Sequence, residues 1–496
     1  MSDGLFGVLR GRVLRGLAWK GGSSLARQLL RVAVTVVLAR LLSPHDYGVA
    51  GMVIVFSALV EIFGDLALGA ALVQRPELSD EDRSTAFWLS VGAGVVFTLV
   101  GLAVAAPLAG FYGTPAVRPL FMVMSLSFLI TAVGSTQAAL LVRVMDFRGL
   151  ELRLTGGAVA GAGVALVLAW RGGGPWALIG QQVTSATVAT VLVWRFSSWR
   201  PRFLFSRASL RELASFSGRV FGTRLLFYAN RNADNVLVGR FVGAGALGAY
   251  TIAYNIMLLP SNQISAPVQE VLYPTFSRMQ DDAPRVAKAW LSVNRIVASI
   301  SLPALAGMMM VAPEFVAVVL GPKWHPAVRV IQILAWVGML QSLQGLNSSV
   351  LQARNRTREL LRYGVIVCAA SLTAFIVGVQ WGLIGVAVAY AISSTLVEPY
   401  YSWLTARALG ISVFAFPRAL AGVVQAVLGM TAAIAFARML LAGGGLGPAP
   451  RLLALVAVGA LAYVPLALWR IPELRAFAHR VRRSRNTTAA VEPALS

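Results

Sequence analysis

Cysteine and histidine are nearly missing from this sequence. Cys368 stands alone, and the three histidines are His45, His325 and His479. A lone cysteine closes no intrachain disulfide, and histidines so far apart have no metal-ligand spacing, so we expect neither a disulfide framework nor a metal site. Cys368 falls inside an apolar run, where a thiol packs as a small hydrophobe. Charge is scarce too: charged residues make up 13% of the chain, against about 25% in an ordinary soluble protein. Acids are the scarcer sign, with 20 Asp and Glu against 43 Lys and Arg, a net charge of +23. General acid–base chemistry would need acids gathered at a face. The run Glu77, Asp80, Glu81 and Asp82 reads instead as a solvated hairpin tip. No outside loop is long enough to hold a soluble catalytic face. We therefore expect no enzyme, no catalytic residue and no cofactor.

What the chain has in abundance is apolar length. Over 496 residues the mean hydropathy is +0.72, and runs of 18 or more apolar residues recur, enough to cross a ~30 Å hydrocarbon layer as helices. We place spans near 17–41, 47–72, 85–109, 116–141, 154–170, 175–194, 213–241, 246–273, 286–312, 326–351, 361–380, 383–406, 417–440 and 451–470. The opening MSDGLFGVLRGRVLRGLAWK has dispersed arginines and no small-residue cleavage site, so we expect the first span to be retained. With the N-terminus inside and residues near span ends counted with the side they border, 29 of the 43 Lys and Arg residues lie inside, 8 outside and 6 deep within spans. That asymmetry is the positive-inside pattern of a membrane protein with both termini cytoplasmic. It accounts for the basic charge without nucleic acid. The expected fold is all-α and multi-pass, with about 14 transmembrane helices.

The longest loop, 195–212, is basic and inside. It separates an N-terminal six-helix lobe (1–194) from a C-terminal one (213–410), followed by helices 13 and 14 (411–470) and a basic tail (471–496) that we expect to be disordered. Pro260, Pro267 and Pro303 fall in helices 8 and 9, where proline kinks the helix. An internal repeat is visible. ARLLSPHDYGV (39–49) and GRFVGAGALGA (239–249) align Arg40 with Arg240 and Gly48 with Gly248, and Arg31 with Arg231 falls on the same offset of 200. Two repeats leaving toward one side of the membrane imply lobes related by an axis along its normal. GAGALG (243–248) also fits G-x-G-x-x-G, but it is a short turn between two spans and lacks the strand that a dinucleotide site requires.

Polar residues inside the spans are not scattered. At 100° per residue, Ser217, Arg224, Tyr228, Arg231 and Asn235 of helix 7 share one stripe, flanked by Asn232 and Asp234. In helix 1, Lys20, Ser23, Ser24, Arg27, Arg31 and Thr35 do the same. An arginine at mid-bilayer costs at least ~2.5 kcal/mol, so Arg27, Arg31, Arg224 and Arg231 need partners or water. Glu61 and Asp65 on helix 2 and Asp234 on helix 7 are the acids within reach, fewer than the arginines. Helix 8 adds Asn255, Asn262 and Gln269, and helix 10 adds Gln341, Gln344 and Ser348. One reading is ion pairing, Arg27 or Arg31 with Glu61 or Asp65, and Arg231 with Asp234. The other is a water-filled, net positive cavity that binds an anion. Arginine suits phosphate there because its planar fork donates paired bonds and keeps its charge.

NADNVLVGRFVGAGALGAYTIAYNIMLLP (232–260), YPTFSRMQDD (273–282), GPKWHPAVRVIQILA (321–335) and LARLLSPHDYGVAGM (38–52) together resemble the Wzx-type flippases. These are the polysaccharide-export branch of the multidrug/oligosaccharidyl-lipid/polysaccharide exporter superfamily, and the likeness is strongest to its colanic-acid and teichuronic-acid exporter-like group. The resemblance covers roughly residues 10–410. It implies two six-helix lobes in a V around a central cavity. It also implies a substrate of undecaprenyl-pyrophosphate-linked oligosaccharide, carried from the cytoplasmic to the outer leaflet of the bacterial inner membrane. Related lipid II flippases hold a cationic central cavity.

On that basis Arg27, Arg31, Arg224 and Arg231 are the candidate pyrophosphate ligands. Asn232, Asn235, Asn255 and Asn262 are candidates for the sugar path, since amides both donate to and accept from hydroxyls. Glu61, Asp65 and Asp234 are candidate coupling groups. The partners expected are the lipid-linked substrate, bilayer lipids, and a polysaccharide polymerase with its export machinery. Two alternatives stand beside this: a multidrug exporter of the same fold, whose cavity should be acidic for cations, and a membrane glycosyltransferase or polymerase, which should carry a large outside loop.

Overall fold

The computed structural model describes residues 22, 26–65, 72–73, 77–206, 228, 232–441, 443 and 445–475, without the side chains of 57–65. In chain order the helices are α1 (26–41), α2 (Pro44–Asp65), α3 (Asp80–Tyr112), α4 (Val117–Arg143), α5 (Phe147–Trp170) and α6 (Trp176–Phe196). Then come α7 (232–237, extended by a π turn Val238–Val242) and α8 (Ala244–Pro260, a π turn Ser261–Ser265, and Ala266–Arg278). The series closes with α9 (Ala283–Phe315, ending in a π turn Val316–Leu320), α10 (Ala327–Ala353), α11 (Thr357–Gly378), α12 (Gly382–Ala408), α13 (Ala415–Leu441) and α14 (Pro448–Arg470). Each expected span coincides with one of these helices. For helices 1 and 7 the overlap is with their C-terminal parts only. No strand occurs among the described residues. Among the described residues, eight helical stretches are long and apolar enough to cross a membrane. Large apolar side chains such as Leu396, Leu453 and Leu461 face outward, as lipid-facing residues do. The chain is an all-α, multi-pass membrane protein.

Two helix starts differ from expectation for a local reason. The run Ser79–Asp82 is a capping box: the Ser79 side chain accepts from the Asp82 amide, and Asp82 accepts from the Ser79 amide. These acids open α3 several residues before the apolar run begins, rather than forming only a solvated tip. Asp282 likewise caps α9 by accepting from the Arg285 amide. Pro260 and Pro267 bracket the π turn of α8, in which the Ala266 amide bonds the Ser261 carbonyl. The added residue absorbs the missing proline donor and lets the helix continue.

The chain separates into two compact units, Met1–Gly248 and Ala249–Ser496. Their helices keep a common plan. Helices α3 and α9 are both 33 residues long, and α4 and α10 are both 27. The latter pair begins 210 residues apart (117, 327) and ends 210 apart (143, 353). The turns after them place Met145 and Asn355, again 210 apart, in the same left-handed conformation at φ 56°. The repeat is therefore a property of the backbone, not only of a few identities. In the second unit a core of α9, α10, α13 and α14 closes around Trp290, whose ring stacks on Phe416 at 4.9 Å.

Candidate functional site

In the first unit the polar stripe of α1 meets α5. Arg27 forms an ion pair with Glu151 and donates to the Thr155 hydroxyl at 3.2 Å. Glu151 is buried, and Arg153, half-buried two residues further on, feels the same carboxylate. The Arg153 Nε has no hydrogen-bond partner. Arg31 lies one turn beyond Arg27, is exposed, and has no ion pair or hydrogen bond among the described residues. Arg27 and Arg153 thus share a single carboxylate, with Arg31 one turn along α1 from Arg27. The described partner of Arg27 is Glu151; the expected pairing with Glu61 or Asp65 falls on side chains outside the described residues. Extension of α5 back to Phe147 brings Glu151 and Arg153 into a helix, whereas the sequence pattern places them in an inside loop.

Around α7, the Tyr228 hydroxyl donates to the Val55 carbonyl of α2, and the Asn232 side chain donates to the Tyr228 carbonyl at 3.1 Å. Asp234 is 1% exposed, and the buried Asn235 Oδ1 has no partner. Arg224, Arg231 and the side chains of Glu61 and Asp65 lie outside the described residues.

The second unit carries a polar network that sequence reasoning sees only in part. Asn255 and Asn262 are exposed, whereas Gln269 is half-buried and donates to the Gly345 carbonyl at 2.6 Å. The π turn between them breaks the seven-residue register that would put all three on one face. Deeper in, Gln341 donates to the Tyr390 hydroxyl at 2.7 Å. Asn347 and Ser402 both donate to Gln344, and Trp290 Nε1 donates to Asn347 Oδ1 at 3.0 Å. On α12, buried Glu398 accepts a bond of 2.8 Å from the Tyr363 hydroxyl of α11. Glu398 is an acid that the sequence analysis does not single out, a lone carboxylate in a long apolar helix.

Acids also fix the last two helices. Glu314, at the end of α9, pairs with Arg438 of α13 and with Arg451 of α14 at 3.3 Å. Arg295 of α9 pairs with Glu473 at 2.6 Å and donates to the Ala419 carbonyl at 2.9 Å. Arg295 is therefore neutralised and adds no free positive charge.

Comparison with known proteins places this geometry in context. A family described as polysaccharide biosynthesis protein matches residues 37–329. The lipopolysaccharide biosynthesis protein WzxC of Escherichia coli K12 is 28% identical over 389 residues, 77% of this chain and 78% of that protein. The teichuronic acid biosynthesis protein TuaB of Bacillus subtilis 168 is 28% identical over 416 residues, covering 82% and 84%. Among solved structures, the lipid II flippase MurJ in an inward closed conformation superposes with a TM-score of 0.74, covering 92% of this chain and 99% of that one at 14% identity. That likeness is one of fold.

Proposed function

The chain belongs to the polysaccharide biosynthesis protein family that matches residues 37–329, and from that premise we propose that it is a flippase for a lipid-linked oligosaccharide. The substrate is undecaprenyl-pyrophosphate-linked, and it moves from the cytoplasmic to the outer leaflet of a bacterial inner membrane by alternating access. One observation carries this reading: Arg27 and Arg153 share one carboxylate, and Arg31, one turn along α1, is exposed without a partner among the described residues. An arginine on a membrane helix is costly unless it faces water or an anion. A pyrophosphate supplies that anion, and the guanidinium fork matches its oxygens.

In this reading Arg31, with Arg224 and Arg231, takes the pyrophosphate in a water-filled cavity, while Arg27 is held ready by Glu151. Asn232, Asn235, Asn255 and Asn262 offer amides to the sugar hydroxyls. The exposure of Asn255 and Asn262 on a membrane helix suits a polar path better than a lipid face. The polyprenyl chain stays in the bilayer. The lobes 1–194 and 213–410 supply the moving bodies, and both termini face the cytoplasm. A polymerase acts on the product at the outer leaflet.

The test is glycan export in cells that depend on this protein. Arg31→Ala should abolish export at normal protein level, and Arg31→Lys should restore it only in part, because an ammonium lacks the fork. Full export by Arg31→Ala would remove the arginine from the substrate path.

A further inference from the structure

We infer that Glu398 is a proton-binding site that couples transport to a proton gradient, an inference that rests on the transport function proposed above. The carboxyl is buried in the second unit, with 8% of the residue exposed. Tyr363 donates its hydroxyl to Oε2 at 2.8 Å. The Tyr363 ring stacks on Tyr401 with centroids 3.7 Å apart and planes 15° from parallel, so the phenol that bonds the carboxyl is itself held in place.

Among the described residues, the groups around it carry no positive charge. From α10 the neutral Gln341, Gln344 and Ser348 bond side chains of α12: Gln341 the Tyr390 hydroxyl, Gln344 the Ser402 hydroxyl and Ser348 the Tyr401 hydroxyl. The group from α11 is Tyr363 and that from α12 itself is Tyr401, with Tyr390 beyond them beside Tyr363. The charged residues of α11 are placed elsewhere: Arg358 and Arg362 are exposed, and Glu359 pairs with Arg356 at 2.9 Å. On α13, Arg418 is exposed as well.

A carboxyl in such a place is stable with a cation beside it or with a proton on it. Glu314 and Glu151, the other buried carboxylates described with an ion pair, have arginines; Glu398 has a phenol. A glutamine would accept the Tyr363 bond equally well, so a carboxyl adds only the ability to gain and lose a proton. Protonated, Glu398 tolerates burial in this network. Ionised, it requires water, which means parting α12 from α10 and α11. Proton binding thus favours the closed arrangement and release favours the open one. A gradient biases the two because the affinities differ between them.

The test uses the full-length protein in lipid vesicles with two readouts. Infrared spectroscopy should show the carbonyl band of a protonated carboxyl that fades as pH rises. Glu398→Gln should lack that band. Tyr363→Phe should move it to higher wavenumber, because the carbonyl loses a donor. Transport of a fluorescent undecaprenyl-pyrophosphate oligosaccharide should respond to an imposed pH gradient in wild type. Glu398→Gln should equilibrate the probe but lose that response. A wild-type response retained in Glu398→Gln, a band unchanged in Glu398→Gln, or a response to sodium at symmetric pH in place of the pH response would each overturn the inference. A band that titrates and vanishes in Glu398→Gln, while wild type moves no probe under any gradient, would uphold the proton site and sink the flippase.

Discussion

Gly48 and Gly248 stand in a reciprocal crossing. A Cβ added to Gly48 would overlap the carbonyl oxygen of Ala244, and one added to Gly248 would overlap that of Pro44. Each glycine thus packs on the residue 200 positions from the one four before itself. Such exchange, i on j and j on i, is the mark of a local two-fold axis. It shows why the repeat is visible in sequence at these glycines: the starts of α2 and α8 touch backbone to backbone, and a side chain cannot be fitted there.

Alanine at either glycine should therefore force the two backbones apart. Overpacking of this kind costs about 1–3 kcal/mol. Gly48→Ala and Gly248→Ala should lower the thermal stability of the detergent-solubilised protein. Gly245→Ala, where an added Cβ meets nothing within 4 Å, is the control and should leave it unchanged. Equal melting of all three variants would show that the crossing is loose.

Arg27 and Arg31 should behave differently although they are one turn apart. Arg27→Ala removes the ion pair with buried Glu151, so it should lower protein level and stability. Exchange of the pair, Arg27→Glu with Glu151→Arg, should recover part of the loss. Arg31→Ala should leave stability unchanged and remove export. A stable Arg27→Ala protein on immunoblots and in melting curves would mean that the ion pair contributes little.

The two outer helices should be fastened by Glu314. Replacing it by glutamine leaves Arg438 and Arg451 together without a carboxylate. Breaking a buried pair costs about 3–5 kcal/mol, and the partly exposed arginines reduce this to roughly 1–3 kcal/mol. The expected signs are a lower melting temperature and faster proteolysis between α13 and α14. An unaltered cleavage pattern in Glu314→Gln would show that packing alone holds these helices.

Topology can be checked directly. Reporter fusions at Arg202 should lie in the cytoplasm and fusions at Gly445 outside it. The segment at Arg202 is held to the start of α3, with Trp88 Nε1 donating to the Arg202 carbonyl at 2.9 Å and Asp80 pairing with its side chain at 3.3 Å. Fusions at both sites reporting one side would remove a span from the arrangement.

The helices are legible in the sequence because a bilayer demands long apolar runs and the positive charges mark their ends. The helix starts at Asp80 and Phe147 are not, because capping and early turns carry polar residues that hydropathy assigns to loops. That displacement hides Glu151, the partner of Arg27. The arginine stripe of α1 is legible from its periodicity, but which arginine is paired is not, since pairing depends on a helix more than 120 residues away. The π turn of α8 is invisible to a fixed 100° step, so Asn255, Asn262 and Gln269 do not share the environment their spacing suggests. Glu398 and Glu314 are each a lone acid in or at the end of an apolar helix, a signal that composition dilutes.

The most direct measurement of the central claim is transbilayer movement in vesicles. Undecaprenyl-pyrophosphate oligosaccharide carrying a fluorophore on the sugar would be placed in both leaflets, and an impermeant reductant added outside. With wild-type protein, the protected inner pool should be bleached as it exchanges outward; with Arg31→Ala, it should persist as in protein-free vesicles. Persistence with wild type, or equal bleaching by wild type and Arg31→Ala, would contradict a flippase that works through this arginine.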